Sequence, residues 1–304
     1  MTDSPNLAPN LAPDLAAAAP EALEQASFLR DTLRAFRKNR MAMVGLVFVL
    51  ALVFCAIFAP LISPHDPYRV ALDEQLLPPS TTYWLGTDNF GRDVLTRILY
   101  GARISLVVGI VPSLISLTIG TVMGILSGYL GGRTDFVIMR LSDMMIAFPS
   151  LLLAMVVMYT LGANLLNIFL ALALVGWASV ARVVRSQTLA LREKEFIEAA
   201  LANGTARGTI MFGHIFPNVI PTLIVLFSLS IPEAIMWESS LSFLGVGVQP
   251  PQASWGLLVA KGKEYMFQNP TVAIAPGVAI LLTVLAFNFI GDGLRDALDP
   301  SMKD

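Results

Sequence analysis

Apolar residues in this chain are gathered into long blocks separated by polar loops, and the blocks have the length of membrane-crossing helices. Met41 to Ile62 (MAMVGLVFVLALVFCAIFAPLI) and Ile104 to Leu126 (ISLVVGIVPSLISLTIGTVMGIL) carry no charge. A helix needs about 20 such residues to cross a hydrocarbon core ~30 Å thick. Four less uniform blocks are also long enough: Phe136 to Leu161, Leu165 to about Val184, Val219 to about Gly245, and Val272 to Ile290. The pattern predicts an all-α membrane protein with six transmembrane helices. Between the fourth and fifth blocks lies LREKEFIEAALANGTARGTIMFGHIFPN, residues 191–218, which is too charged to sit in lipid.

Composition places the chain in the same class, with 55% hydrophobic residues, 14% charged residues and a mean hydropathy of +0.69; soluble domains are about one quarter charged. The net charge of -2 is spread over separated loops, so it predicts no nucleic-acid partner and has to be read by side of the membrane. With the N-terminus inside, 14 of the 20 Lys and Arg fall inside, leaving Arg69, Arg92, Arg97, Arg103, Lys261 and Lys263 outside. Cytoplasmic flanks hold the excess of basic residues, which puts both termini and residues 191–218 in the cytoplasm. The lone Cys55 excludes an intramolecular disulfide, and the bulky Phe54 before it argues for a packed thiol over a lipoprotein processing site. Acids and prolines ahead of the first apolar block, and the length of that block, make it a retained anchor rather than a cleaved signal.

The chain divides into a cytoplasmic tail (1–40), a first transmembrane helix (41–62), an extracytoplasmic loop (63–102), a five-helix core (103–292) containing the 191–218 hairpin, and a short tail (293–304). Residues 1–20 have too few bulky apolar groups to pack and are expected to be disordered. From Pro20, Leu23, Phe28, Phe36 and the basic RAFRKNR fit either an amphipathic helix at the inner membrane surface, held by lipid headgroups, or a simple topogenic patch.

Within 191–218, helix-favouring residues from about Leu191 carry Glu193 and Glu195 in the expected first turns, and Asn203-Gly204 supplies a stop. Thr205 is placed to cap a second helix, whose Ile210, Met211, His214 and Ile215 form an apolar stripe ending near Pro217. Ala199 and Ala200 beside Glu198 offer the small-residue surface that a helix docking into another protein's groove needs; a plain solvated loop is the other reading.

The spacing Glu198-Ala199-Ala200, three residues, Gly204, nine residues, then HIFP ending at Pro217 resembles the EAA loop of ABC importer permeases. His214 and Phe216 stand where Ile and Leu are common in that motif. Further stretches resemble the dipeptide, oligopeptide and nickel branch of the family: WLGTDNFGRDVLTRILYGARISL (84–106), GYLGGRTDFVIMRLSDMMIAFPSLLLA (128–154), SSLSFLGVGVQPPQASWG (239–256) and LTVLAFNFIGDGLRDALDP (282–300). The resemblance covers nearly everything after residue 35 and is greatest to second permease subunits of dipeptide transporters. It implies a type I importer fold in a bacterial inner membrane, a second homologous permease, two cytosolic ATPase subunits and an extracytoplasmic substrate-binding protein. It also implies ATPase coupling through Glu198, Ala199, Ala200, Gly204, His214 and Pro217, with dipeptides or short oligopeptides as cargo; nickel and glutathione stay open.

The residues accord with that division of labour. GLLVAKGKE (256–264) has its glycines one residue too far apart for a phosphate loop and Glu264 where Ser or Thr is needed, so ATP is expected to be used by partner subunits, with no cofactor on this chain. His65 and His214 are the only histidines and fall on opposite faces, which leaves no metal site and no catalytic residue. A secondary transporter is the alternative outside the family, and a structural scaffold a third class. In the second span Ser113, Ser116, Gly120, Gly124 and Gly128 make a small-residue face for close packing, within this bundle or against the sister permease. Arg140 and Asp143 are expected to pair locally. Glu233 and Glu238 are the acids expected to line a pathway, because charge inside a span has to meet water or a partner. Residues 64–102 and 246–271 are expected to form a folded outer gate, in which Trp237 and Trp255 serve either the gate or the membrane interface.

Overall fold

The computed structural model describes residues 30–298; the readings of residues 1–29 and 299–304 fall outside this range. Helix α1 (30–38) stops at Asn39, whose side chain accepts the Ala42 N–H at 3.1 Å and so opens α2 (Arg40–Ile57). The first apolar block breaks once, at Phe58, before the short α3 (Ala59–Ile62). Helix α4 (Val94–Leu130) is 37 residues long. Its Asp93 cap accepts from Thr96 N at 2.9 Å, so the amphipathic DVLTRILYGAR stretch forms the first turns of the second span itself.

The third apolar block is not one straight helix. It folds as α5 (Gly132–Ala147) and α6 (Ser150–Leu161), bent by 91°. Pro149 has no N–H to continue the ladder, and Phe148 before it takes the extended conformation (φ -85°, ψ 138°) that a following proline imposes. Helix α7 (Leu165–Arg192), opened by Asn164 accepting from Asn167 N at 2.9 Å, runs two turns past its expected end. Helices α8 (Glu195–Ala202) and α9 (Arg207–Thr209) follow, and a π-helical turn (Ile210–Ile215) leads without a stop into α10 (Phe216–Phe243). The connection after α10 holds α11 (Trp255–Gly262), and α12 (Thr271–Leu298) completes the described chain. Among the described residues five helices are long and apolar enough to cross a membrane, six if the bent α5/α6 pair counts as one span. Pro112, Pro221, Pro232 and Pro276 all lie inside continuous helices.

The small residues of α4 face α7. A side chain at Gly120 would meet Val180 Cβ at 2.5 Å and one at Gly124 would meet the Ala181 carbonyl at 2.7 Å. Ser116 Oγ donates to the Ala173 carbonyl at 3.2 Å. The face left open by the sequence therefore belongs to packing inside this chain. Buried Phe36 of α1 packs with Ala42 of α2 and Ala297 of α12, leaving Arg34, Arg37 and Lys38 exposed.

At the opposite end, residues 63–93 fold into a cap rather than a linker. Thr87 Oγ1 accepts from Leu77 N at 2.8 Å, Asp88 accepts from the backbone and side chain of Arg92, and Tyr83 donates to Glu74 at 2.7 Å. That last bond holds the Tyr83 phenol above its ordinary pKa. Gly91 has φ +70° and lies where a side chain would overlap Ala71. The cap is joined to residues 246–271 by Asn269 Nδ2 to the Leu77 carbonyl and by Thr271 Oγ1 to the Leu85 carbonyl, both 2.8 Å. Trp255 is fully buried, its indole donating to the Ile98 carbonyl at 3.0 Å; it is a core residue of this junction and not an interfacial anchor. Arg103 donates to the last carbonyls of α2, Ala56 at 2.5 Å and Ile57 at 2.8 Å.

Candidate functional site

The 191–218 stretch folds as two short helices meeting at a glycine, with three departures from the sequence reading. Its first helix starts at Glu195, because α7 extends to Arg192 and Glu193 is its C-cap. The end of α8 follows expectation: Asn203 closes it, Gly204 takes φ +74°, Gly204 N donates to Leu201 O at 3.0 Å, and Thr205 N donates to Ala200 O at 3.0 Å. This is the Schellman arrangement, which satisfies the orphan carbonyls of the last turn and requires a left-handed residue. Thr205 does not cap the next helix; Ala206 occupies that position with no side-chain hydrogen bond.

The third departure is at Pro217, which ends nothing. The π turn places Phe216 N on the Met211 carbonyl, a bond across five residues. A wider turn makes room where a proline ring would otherwise crowd the preceding carbonyls. The second half of the hairpin is thereby one body with α10.

Anchorage and exposure divide cleanly. Ile197, Ala200, Ile210, Met211 and Ile215 are buried in one cluster with Ile125 and Tyr129 of α4, Val184 of α7, and Val219 and Leu223 of α10. Glu198, Ala199, Leu201, Ala202 and Gly204 stay exposed, with Phe196 beside them at 43% exposure. Ala200 therefore does not share the outward small-residue surface: it turns inward, while Ala199 stays on the exposed face. His214 is half-buried. Two ion pairs that the sequence reading missed brace the helices nearby. Arg185 of α7 grips Asp135 of α5 through two bonds of 2.5 and 2.6 Å, and Ser127 of α4 donates to the same carboxylate. Asp143 pairs with Arg182 of α7 at 2.7 Å instead of Arg140, because α5 lies along α7 and brings that guanidinium within reach.

The two span acids part company. Glu238 is fully buried, its Oε1 accepting from Ser242 at 2.6 Å and Ser254 at 2.7 Å. It fastens the start of α11 to α10 and does not line an open surface. Glu233 is exposed and lines a cavity of about 220 Å³ between α4, α7 and α10, with Ser113, Ser116, Ser150, Ser179 and Ser230. The indole of half-buried Trp237 donates to Glu233 at 3.3 Å. Serines scattered singly over four blocks gave no sequence signal of this convergence. Among the described residues no three His, Cys, Asp or Glu come together to hold a metal ion.

Two features stand out in the spanning bundle: a hairpin anchored by one face on three helices, and, farther along α10, a cavity carrying five serines and one carboxylate. Residues 120–304 match the model for the binding-protein-dependent transport system inner membrane component, and residues 27–79 match the N-terminal transmembrane domain of oligopeptide transport permease C. The chain belongs to this inner-membrane transport family. It is 43% identical over 274 residues to a dipeptide transport system permease of Alkalihalophilus pseudofirmus, covering 90% of each chain. It is 40% identical to an oligopeptide transport system permease of Bacillus subtilis, covering 91% of each, and 42% identical to a glutathione transport system permease of Pectobacterium atrosepticum, covering 90% of this chain and 91% of the other. The methionine ABC transporter MetNI in an inward-facing conformation shares the fold, with a TM-score of 0.54 at 18% identity over 67% of this chain and 96% of that one.

Proposed function

We propose that this chain is one of two homologous permeases in an ATP-driven importer of dipeptides or short oligopeptides. It forms half of the pathway and receives the motion of two cytosolic ATPase subunits through the α8–α9 hairpin. The observation that carries the reading is that hairpin, buried on three spans by one face and presenting Glu198, Ala199 and Gly204 on the other. The dipeptide and oligopeptide relatives support the cargo. The glutathione relatives favour one second reading, glutathione import by the same mechanism. A binding protein docks on the joined 63–93 and 246–271 cap, and hydrolysis is carried out by the partners.

Two experiments test this. Co-expressed with its partners and reconstituted in vesicles, the chain is expected to co-purify with a second permease and two ATPases and to accumulate a labelled dipeptide only with ATP and binding protein; purified alone it hydrolyses no ATP. Hydrolysis intrinsic to the isolated chain, or uptake without ATP, overturns the assignment. Orientation is read separately in a Cys55→Ala background: Ser80→Cys is expected to react with an impermeant maleimide from outside, and Thr205→Cys only after the cytoplasmic face is opened. Reversed labelling would detach the hairpin from any cytosolic partner.

A further inference from the structure

We infer that Glu233 is the recognition point for a cationic amino group of the cargo, so that the cavity selects a free ammonium such as a peptide N-terminus. The inference rests on the importer reading above and adds to it a charge rule located on this chain. Glu233 is the one ionisable group among the residues lining the cavity, and none of the ion pairs among the described residues involves it. A carboxylate at this depth of a spanning helix has to be matched by water or by a positive partner. The neighbouring serines do not neutralise it: Ser113 donates to the Gly109 carbonyl at 2.7 Å, Ser116 to Ala173 at 3.2 Å, and Ser230 to Phe227 at 2.9 Å. These three hydroxyls have spent their protons on backbone and keep oxygen lone pairs as acceptors, while Ser150 and Ser179, which also line the cavity, are neutral and cannot balance the charge.

Trp237 fixes the carboxylate from one side through Oε1, which leaves Oε2 free, while the indole face adds a surface that attracts cations. The cavity wall therefore offers acceptors and a π-face to the ligand. An ammonium, with three donors and a positive charge, fits that set; a carboxylate or phosphate would be repelled by the Glu233 charge. The cargo's own carboxylate has to be met elsewhere, and the unpaired edge of the cavity is where a second permease would complete it.

The test avoids uptake, which the binding protein also filters. In the complete assembly carrying Cys55→Ala, the exposed cavity residue Ser179 is replaced by Cys, and its reaction rate with a small neutral maleimide is followed. The probes are alanyl-alanine amide, a monocation, and N-acetyl-alanyl-alanine amide, its neutral analogue. At a concentration about tenfold above its dissociation constant the cation is expected to slow labelling about tenfold, and the neutral analogue at the same concentration, bound about tenfold more weakly for want of one charge-assisted hydrogen bond, by about twofold at most. Glu233→Gln removes the difference and Glu233→Asp retains most of it. The same measurement at Ser230→Cys guards against a local defect at position 179. Equal protection by both probes, protection that survives Glu233→Gln, or no protection by either probe overturns the inference. Failure of the importer reading would appear instead as absent ATP-dependent dipeptide uptake by the parent assembly, whatever the labelling shows.

Discussion

Gly204→Val is expected to reduce ATP-driven uptake by the reconstituted importer to background while the variant still inserts at normal levels. The argument is conformational. Nothing lies within 4 Å of a Cβ placed at Gly204, so the new side chain meets no obstacle. The penalty comes from φ +74°, a left-handed position that costs an ordinary residue about 1–2 kcal/mol and a β-branched one more. To escape it, the chain has to abandon the bonds from Gly204 N and Thr205 N to the end of α8, and the exposed Glu198–Ala199 surface is then re-aimed. Gly204→Asn, which tolerates the left-handed region, is expected to keep most of the uptake, and that contrast separates a conformational role from simple intolerance of substitution. Glu198→Ala leaves the helix intact and removes an exposed charge; ATPase binding in pull-down is expected to weaken about tenfold, as for one charged contact at an interface. If Gly204→Val and Glu198→Ala both assemble, hydrolyse and transport like the parent, the hairpin is only a solvated loop.

Gly124→Ile is expected to cost about 3 kcal/mol in stability, the upper part of the range for overpacking a tight contact, and to lower the recovery of monodisperse protein sharply. A Cβ at Gly124 would lie 2.7 Å from both the Ala181 carbonyl and Val184 Cβ. One obstacle is backbone and the other a branched residue that is itself fully buried, so neither can yield without separating α4 from α7. Thermal melting in detergent with a size-exclusion readout measures this. A control at Gly132, where nothing lies within 4 Å but φ is +54°, is expected to cost less on Gly132→Asn. Normal melting of Gly124→Ile would mean that the two helices are not held at this separation.

Most span positions could be read from the chain because an apolar block of membrane length has one ready outcome in lipid: a helix that satisfies its own backbone. What the pattern could not convey was where such a block bends. Pro149 and Pro112 look alike in an apolar run, yet the first splits α5 from α6 by 91° and the second lies inside α4. The difference lies in the residue before each: Phe148 is extended, whereas Val111 stays within the helix. The hairpin was legible at Gly204, where a local backbone requirement selects the residue. It was misread at Glu193 and Pro217, where α7 and α10 extend into it. Glu233 and Glu238, five residues apart on one helix, could not be separated in advance, because only the folded chain brings Ser254 to one and an open cavity to the other.

The unbroken passage from the π turn into α10 has a mechanical meaning. From Ile210 to Glu233 the chain climbs about 35 Å at the rise of an α-helix, with one end buried among the anchors of the hairpin and the other at the cavity. Such a rod is a lever: a tilt of about 5° at the hairpin displaces the far end by roughly 3 Å over that length, about the width of a water molecule. Pro217, Pro221 and Pro232 are its three compliant joints, each lacking a rung of the hydrogen-bond ladder. The last lies directly before Glu233. Force entering the hairpin would therefore be spent as rotation at that joint, turning the carboxylate toward or away from the cavity without unwinding the helix that carries it.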